Sequence, residues 1–364
     1  MTHYEIRLAA DLKRIRDGVE RVAELVEKAL RDAMRALLTM DKGLAYRTII
    51  GDMPVNRSVK EIDRLCHQFV ARHLPSAGHL RFISSVLRMN VELERIGDYA
   101  VTICRETVQL TKPLSTGVRR EAERLSKDTF QMLHQSLQAF HESNADLARA
   151  TMTYSDQLDR RFDMAFEALV EEGDERTRPI RDLFETLVIF NRLERVGDQA
   201  KNICEETVFA VTGETKPPKI YRILFLDRAN DYRSQMAAAI ARKAYPESGR
   251  YKSAGLEPAE RLDPGFVQFM EEQGMDMQDH RPQPIDWVPE EWSSFHVLVS
   301  LEGPIERYLP EVPFRTVALE WEVPPAPVAE ASETERRERF EETFRLIAIE
   351  VRDLMETLRG EEAS

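Results

Sequence analysis

Residues 90–108 read NVELERIGDYAVTICRETV, and one hundred positions later residues 191–208 read NRLERVGDQAKNICEETV. Between 93–108 and 193–208, 11 of 16 positions are identical: Leu, Glu, Arg, Gly, Asp, Ala, Ile, Cys, Glu, Thr and Val. Unrelated segments of that length share roughly one residue, so the chain carries an internal duplication. In each copy the apolar positions (Leu93, Ile96, Ala100, Ile103; Leu193, Val196, Ala200, Ile203) recur at steps of three and four, one face of a helix. Glu94/Asp98 and Glu194/Asp198 are i,i+4 carboxylate pairs on an adjoining face. Like charges at that spacing repel, and a mid-helix glycine such as Gly97 or Gly197 costs about 1 kcal/mol relative to Ala. A sequence that accepts both costs twice points to carboxylates in use, with the glycine letting something approach closely.

Outward from the repeat, residues 5–40 alternate apolar and charged positions at helical spacing (Leu12, Ile15, Val19, Val22, Leu25, Val26, Leu30) up to the Asp41-Lys42-Gly43 turn. A second helix is predicted from Asn56 to His73, ended by Pro75-Ser76-Ala77-Gly78 before the motif helix. Three helices with short connections make one antiparallel bundle over 1–112. The plan repeats over 113–211, with helices at Gly117–His141, Tyr154–Glu172 and, after a turn containing Gly173, Thr177–Phe209. In this reading Ile62-Asp63 of the first middle helix corresponds to Leu158-Asp159 of the second.

Val211–Pro218 is a linker by composition, and beyond it the period changes. Tyr221–Leu226 is a short apolar strand, Asp227–Arg233 a loop, and Ser234 opens a helix. Further strands are expected near Tyr251, at Phe295–Val299 and at Arg315–Leu319, with a helix over Pro264–Gln273. Alternating strands and helices imply a small α/β domain with a parallel sheet over 220–360. Its tail opens on a capping box, Ser332 and Glu335, and carries an apolar stripe at Phe340, Phe344, Ile347, Val351, Leu354 and Leu358. The expected fold class is therefore multidomain: tandem all-α three-helix bundles, then a small α/β domain.

The E-R-[IV]-G-D-x-A-x-x-I run, present twice and each time late in a helical unit, closely resembles the phosphate-uptake regulator PhoU family, whose members pair two three-helix bundles. The family's E/D-x-x-x-D motif is matched by Glu94/Asp98 and Glu194/Asp198. The resemblance, over residues 1–210, implies a metal site on each bundle. If each motif helix packs beside its middle helix, Asp63 and His67 in the first half and Asp159 and Asp163 in the second add ligands. Hard oxygen donors with an imidazole suit divalent or trivalent Mg, Mn, Fe or Zn ions. The bland alternative is a solvated acidic face paired with Arg95 and Arg195. The resemblance further implies a negative regulator of phosphate uptake that contacts a phosphate ABC transporter ATPase or a membrane sensor kinase, and it leaves a homodimer open.

A strand, a loop and a helix opening with Arg-Ser is the layout of a phosphate cradle. Asn230, Arg233, Ser234, Gln235 and Met236, with Ser253-Ala254-Gly255 and Gly274-Met275-Asp276, resemble the low-molecular-weight protein tyrosine phosphatase and arsenate reductase family over 220–327. That family's loop begins with a nucleophilic Cys; here the position is Asp227, the loop glycine is Ala229, the second loop Cys is Tyr232, and Pro325 stands where the general-acid Asp belongs. The three cysteines, Cys66, Cys104 and Cys204, all precede this domain. Thiolate catalysis needs a soft nucleophile and an acid for the leaving group, and neither is present. The expectation is a catalytically inactive domain whose degenerate anion loop (Asp227, Asn230, Arg233, Ser234) fills its own site by pairing Asp227 with Arg233. The competing reading is a phosphatase or arsenate-handling enzyme regulated by the bundles, with Asp227 itself phosphorylated.

Composition limits the rest. A net charge of −13 over 364 residues argues against a nucleic-acid partner, which needs a basic footprint. Few cysteines, two of them a repeated helical core position, indicate a reducing compartment. The start lacks a signal-peptide pattern and no apolar stretch reaches membrane-span length, so the protein is expected to be cytoplasmic, reaching the inner face of the membrane only through a partner.

Overall fold

The computed structural model describes residues 2–215, 219–285, 289–292, 294–313, 316–327 and 331–360. The chain divides into two compact units, Met1–Lys216 and Pro217–Ser364.

In the first unit, α1 (His3–Thr39) opens on a capping box between Thr2 and Glu5 and stops where Met40 enters the left-handed region, φ 53°. The sequence reading has a turn there and then no element. The chain instead forms a short helix, α2 (Lys42–Ile50), because the Asp41 side chain accepts the Leu44 amide at 2.8 Å and caps it. α3 (Met53–His73) and α4 (Ala77–Gln109) complete the first repeat. The second follows the same order: α5 (Thr116–His141), a short α6 (Ala145–Met152) capped by Asn144, α7 (Ser155–Asp174) and α8 (Ile180–Thr212). Each bundle thus has three long helices and one short one. Gly173 lies inside α7 rather than in a turn.

The motif helices are the centre of this unit. α4 and α8 pack on each other, and the eight apolar motif positions Leu93, Ile96, Ala100, Ile103, Leu193, Val196, Ala200 and Ile203 are all 0 % exposed. Each large one of these contributes about 1.5–3 kcal/mol of burial. Cys104 and Cys204 are free, buried beside them, and burial pushes their thiols up to about 11 and about 12. Between the repeats, buried Arg178 ties the connecting segment down, donating to Glu172 (2.8 Å) and to the Lys112 carbonyl (3.2 Å), while Asp182 accepts the Thr111 hydroxyl at 2.9 Å.

The second unit holds a four-stranded parallel sheet in the order β2-β1-β3-β4, formed by β1 (Tyr221–Asp227), β2 (Gly249–Gly255), β3 (Val297–Ser300) and β4 (Val317–Glu320). β1 is apolar on both faces because both are covered: Ile223 and Phe225 join a core with Met236, Phe266 and Ile347, and Leu224 and Leu226 join Trp292 and Ile305. The helices are α9 (Arg233–Ala244), α10 (Pro264–Glu272), the single turn α11 (Pro289–Trp292) and α12 (Glu333–Arg359). The tail stripe is answered within this unit, since Phe340, Ile347 and Val351 are buried against α9 and α10. Phe295 and His296 precede β3 rather than belonging to it. Arg315 of the expected fourth strand and Lys216–Pro218 of the expected linker lie outside the described residues. Among the described residues, no helix is long and apolar enough to cross a membrane.

Candidate functional site

The first motif lies where α4 crosses the start of α3. Gly97 makes that approach close: a Cβ added there would meet Val55 Cγ1 at 3.4 Å and Asp52 Oδ1 at 3.5 Å. Asp52 precedes α3 at its N-cap but does not cap it with its side chain; its carboxylate accepts from Asn56 Nδ2 at 2.6 Å. Asp52 therefore faces Asp98 across the glycine. The Asp98 carboxyl is pushed above the usual Asp range, first by partial desolvation against α3 and then by the Asp52 charge, with Arg105 opposing. Asp98 as a residue nevertheless keeps much of its surface in water, and Glu94, one turn earlier, is half-buried.

Asp63 and His67 are placed elsewhere. Asn90, one turn before Glu94, donates from Nδ2 to Asp63 at 2.7 Å and to the Val59 carbonyl at 2.8 Å, so Asp63 is level with Asn90, whereas Asp52 is level with Gly97. His67 is a further turn along α3 in the same direction and is exposed. Among the described residues, no group of three or more His, Cys, Asp or Glu side chains is gathered as a metal cluster. The structure brings together Asp52 and Asp98, a pair the sequence reading did not contain.

In the second motif, a Cβ on Gly197 would fall 1.9 Å from Leu158 Cδ2, so α7 presses harder on α8 than α3 does on α4. Leu158 is thus the counterpart of Val55. The buried ladders agree: Val55, Val59, Ile62, Cys66 and Phe69 match Leu158, Phe162, Ala165, Leu169 and Glu172. The correspondence of Ile62-Asp63 with Leu158-Asp159 is therefore corrected by seven residues. A shift of seven keeps every apolar position on the buried face, so periodicity alone cannot detect it. In the corrected register Asp159 stands opposite Asn56, Asp163 opposite Lys60, and Asp63 and His67 opposite Phe166 and Val170. Asp198 pairs with Arg195 at 3.2 Å, and Glu194 accepts from Asn191 Nδ2 at 3.5 Å.

The strand-loop-helix of the second unit is built and closed. Asp227, 2 % exposed, ends β1 and accepts the backbone amides of Asn230 (2.5 Å) and Ser234 (2.8 Å). Asn230 sits at φ 50°, bonded through Nδ2 to Ser234 Oγ and through Oδ1 to the Gln283 amide at 2.7 Å. A Cβ on Gly255 would come within 2.8 Å of the loop backbone at Arg228 and Asn230, so only glycine admits the loop. The expected Asp227–Arg233 pair is replaced by a different one. Arg233 forms its ion pair with Glu302, which also accepts the Arg228 amide at 3.1 Å. Asp227 is held instead by two amides of its own loop, and the Arg233 charge acts on it without a direct ion pair. Burial pushes the Asp227 carboxyl up, against the lowering effect of those amides. Three of the loop's amides, those of Arg228, Asn230 and Ser234, and its arginine are thus taken by carboxylates of this chain.

Comparison with known proteins follows the same division. The family model of the PhoU domain matches residues 19–107 and 122–207. The phosphate-specific transport system accessory protein PhoU homologue of Pseudomonas putida is 33% identical over 212 residues, covering 58% of this chain and 83% of the relative. The chain belongs to the PhoU family. PhoU of Escherichia coli strain K12 is likewise 33% identical over 216 residues, covering 88% of that protein. The crystal structure of PhoU from Pseudomonas aeruginosa matches with a TM-score of 0.54 at 33% identity, over 57% of this chain and 99% of that one. The low molecular weight phosphotyrosine protein phosphatase model matches residues 222–364, so a domain of that kind follows the PhoU repeats.

Two residues of consequence escaped the sequence reading. Asp52 lies in the turn before the first middle helix of the PhoU repeat, and the signal for it was Asp52-Met53-Pro54, an acid just ahead of a proline at a helix start. Glu302 lies 75 positions after Asp227 and no local pattern connects the two; only the parallel pairing of β1 with β3 brings the loop that follows β3 to the loop that follows β1.

Proposed function

We propose that this protein is an accessory and regulatory component of phosphate transport: a negative regulator of phosphate uptake that acts by contact with a transporter ATPase or a membrane sensor kinase, and carries a catalytically inactive phosphatase-like domain. The observation that supports the role most directly is the likeness of both repeats, over 83% of its length, to a protein named as an accessory of the phosphate-specific transport system.

The acidic motifs are the proposed working surface. Asp52 and Asp98, with Glu94 one turn away, would hold a hard ion in the first repeat, and Asp198 with Glu194 in the second. The donor set fits an ion that takes one or two carboxylates and keeps most of its water, as Mg²⁺ does. When bound, such an ion would supply positive charge on an acidic bundle and open coordination positions for an anionic group. The residues themselves contribute the facing carboxylates, brought near each other where Gly97 lets α3 approach α4.

The test is co-purification from native cells grown in high and low phosphate, comparing the parent with a Glu94/Asp98/Glu194/Asp198→Ala variant. A transporter ATPase or sensor kinase should be recovered with the parent, more strongly in high phosphate, and lost with the variant; its absence from both would end the adaptor reading. For the second domain, hydrolysis of p-nitrophenyl phosphate with and without Mg²⁺ should stay at background. Turnover removed by Asp227→Asn would make it an enzyme.

A further inference from the structure

The second unit has a cavity of ≈ 520 Å³ that adjoins the closed loop, sharing with it Gln235 and Gln283, which both donate to Asn230 Oδ1. It runs along β2, the edge strand of the sheet, between the end of α9 and the segment around residues 279–284. Arg242, Lys252, His280 and Arg281 line it with one carboxylate, Asp279, and the Ser253 hydroxyl. This runs against the composition of a chain with 64 acids and 51 bases.

Arg242 is held in place by neutral groups. Its Nη1 donates to His280 Nε2 at 3.0 Å and its Nη2 to the Tyr251 carbonyl at 3.4 Å. His280 must then be the neutral tautomer with its proton on Nδ1, in keeping with a pKa lowered by burial and by the Arg242 charge. Among the described residues no carboxylate pairs with Arg242 or Arg281. A guanidinium fixed by neutral acceptors keeps its full charge and its remaining donors. That is the arrangement of an anion receptor, in which the fork geometry of arginine matches an oxyanion.

We infer that this cavity binds the phosphate group of a small molecule, with Arg242 and Arg281 as its principal ligands and Ser253 in support. Two guanidiniums that no described carboxylate pairs with match a phosphate oxyanion. A phosphate group presents acceptor oxygens on every side, so ligands from a helix end, a strand and a loop can all reach it. The volume lies in the range of small-molecule sites and exceeds what bare phosphate fills, which favours a phosphate monoester. The inference does not depend on the transport role of the PhoU repeats.

The experiment is calorimetric titration of the full chain with inorganic phosphate and, separately, with adenosine monophosphate, for the parent, Arg242→Gln/Arg281→Gln and Glu302→Gln. Saturable one-to-one binding is expected in the parent, weakened at least tenfold in the double variant and unchanged in Glu302→Gln, which perturbs only the closed loop. Tighter binding of the monophosphate identifies an ester as the ligand; tighter binding of inorganic phosphate identifies the free anion in the same site. Failure of both probes to bind, or binding that the double variant does not weaken, overturns the assignment.

Discussion

The two copies of the motif differ less in sequence than in what surrounds them. In the first, Glu92 takes Arg95 at 3.4 Å, and Asp98 is left facing Asp52 across a glycine with room beside it. In the second, position 192 is arginine and stacks at 5.5 Å over Tyr99 of the first repeat, Arg195 turns to Asp198, and Leu158 presses onto Gly197. One copy therefore keeps two carboxylates in mutual repulsion, and the other satisfies its Asp within its own helix. A duplicated motif preserves residue types; the exchange of Glu92 for Arg192, and of Asp52 for Ser155 in the corrected register, decides what those residues do.

The comparison can be broken most forcefully at the glycines. Gly197→Ala drives a methyl into Leu158, a repacking cost of about 1–3 kcal/mol partly offset by the helix gain of about 1 kcal/mol. Gly97→Ala meets only ordinary van der Waals contact, so the same helix gain of up to about 1 kcal/mol should survive. Thermal unfolding of the two single variants should place Gly97→Ala at or above the parent and Gly197→Ala below it. Equal shifts, or the reverse order, would show that the repeats are packed alike.

A smaller effect tests the charges. A carboxyl whose pKa is raised in the folded state stabilises the fold while protonated and loses that contribution as pH rises through the folded pKa. Asp98→Asn should therefore raise stability at pH 7, by less than about 1 kcal/mol because solvent screens the site, and the gain should vanish as pH falls toward the unfolded value of about 3.9. Asp198→Asn removes an exposed ion pair instead, and should lose a few tenths of a kcal/mol at pH 7, about the worth of such pairs. Urea unfolding of both variants at pH 7 and pH 4 is the measurement. A gain for Asp98→Asn that is the same at both pH values would remove the Asp52–Asp98 repulsion from the account.

Much of the site was legible locally. Glu94 and Asp98, Glu194 and Asp198 are one-turn neighbours, and the burial of Leu93, Ile96, Ala100 and Ile103 follows from their spacing. The short helices α2 and α6 were not, because each depends on a single cap, Asp41 or Asn144, at the end of a long periodic run. The partner of each carboxylate was hidden for a different reason. Asp63 and Asp52 lie on the same side of the same sequence region, and only the depth to which α3 slides along α4 decides which of them meets the motif.

The sequence by itself determined the duplication, the helical units, the parallel α/β domain and a loop over 227–233 that contains no cysteine, since each is written in residue type or in a period of a few residues. Tertiary structure alone decided the register of α7 on α8, the meeting of Asp52 with Asp98, the capture of Arg233 by Glu302 and the gathering of Arg242, His280 and Arg281 along the edge of β2. The physical reason is common to all four. Helical periodicity is unchanged by a seven-residue slide and silent about residues far apart in the chain, whereas a close-packed contact such as Leu158 on Gly197 admits one register only.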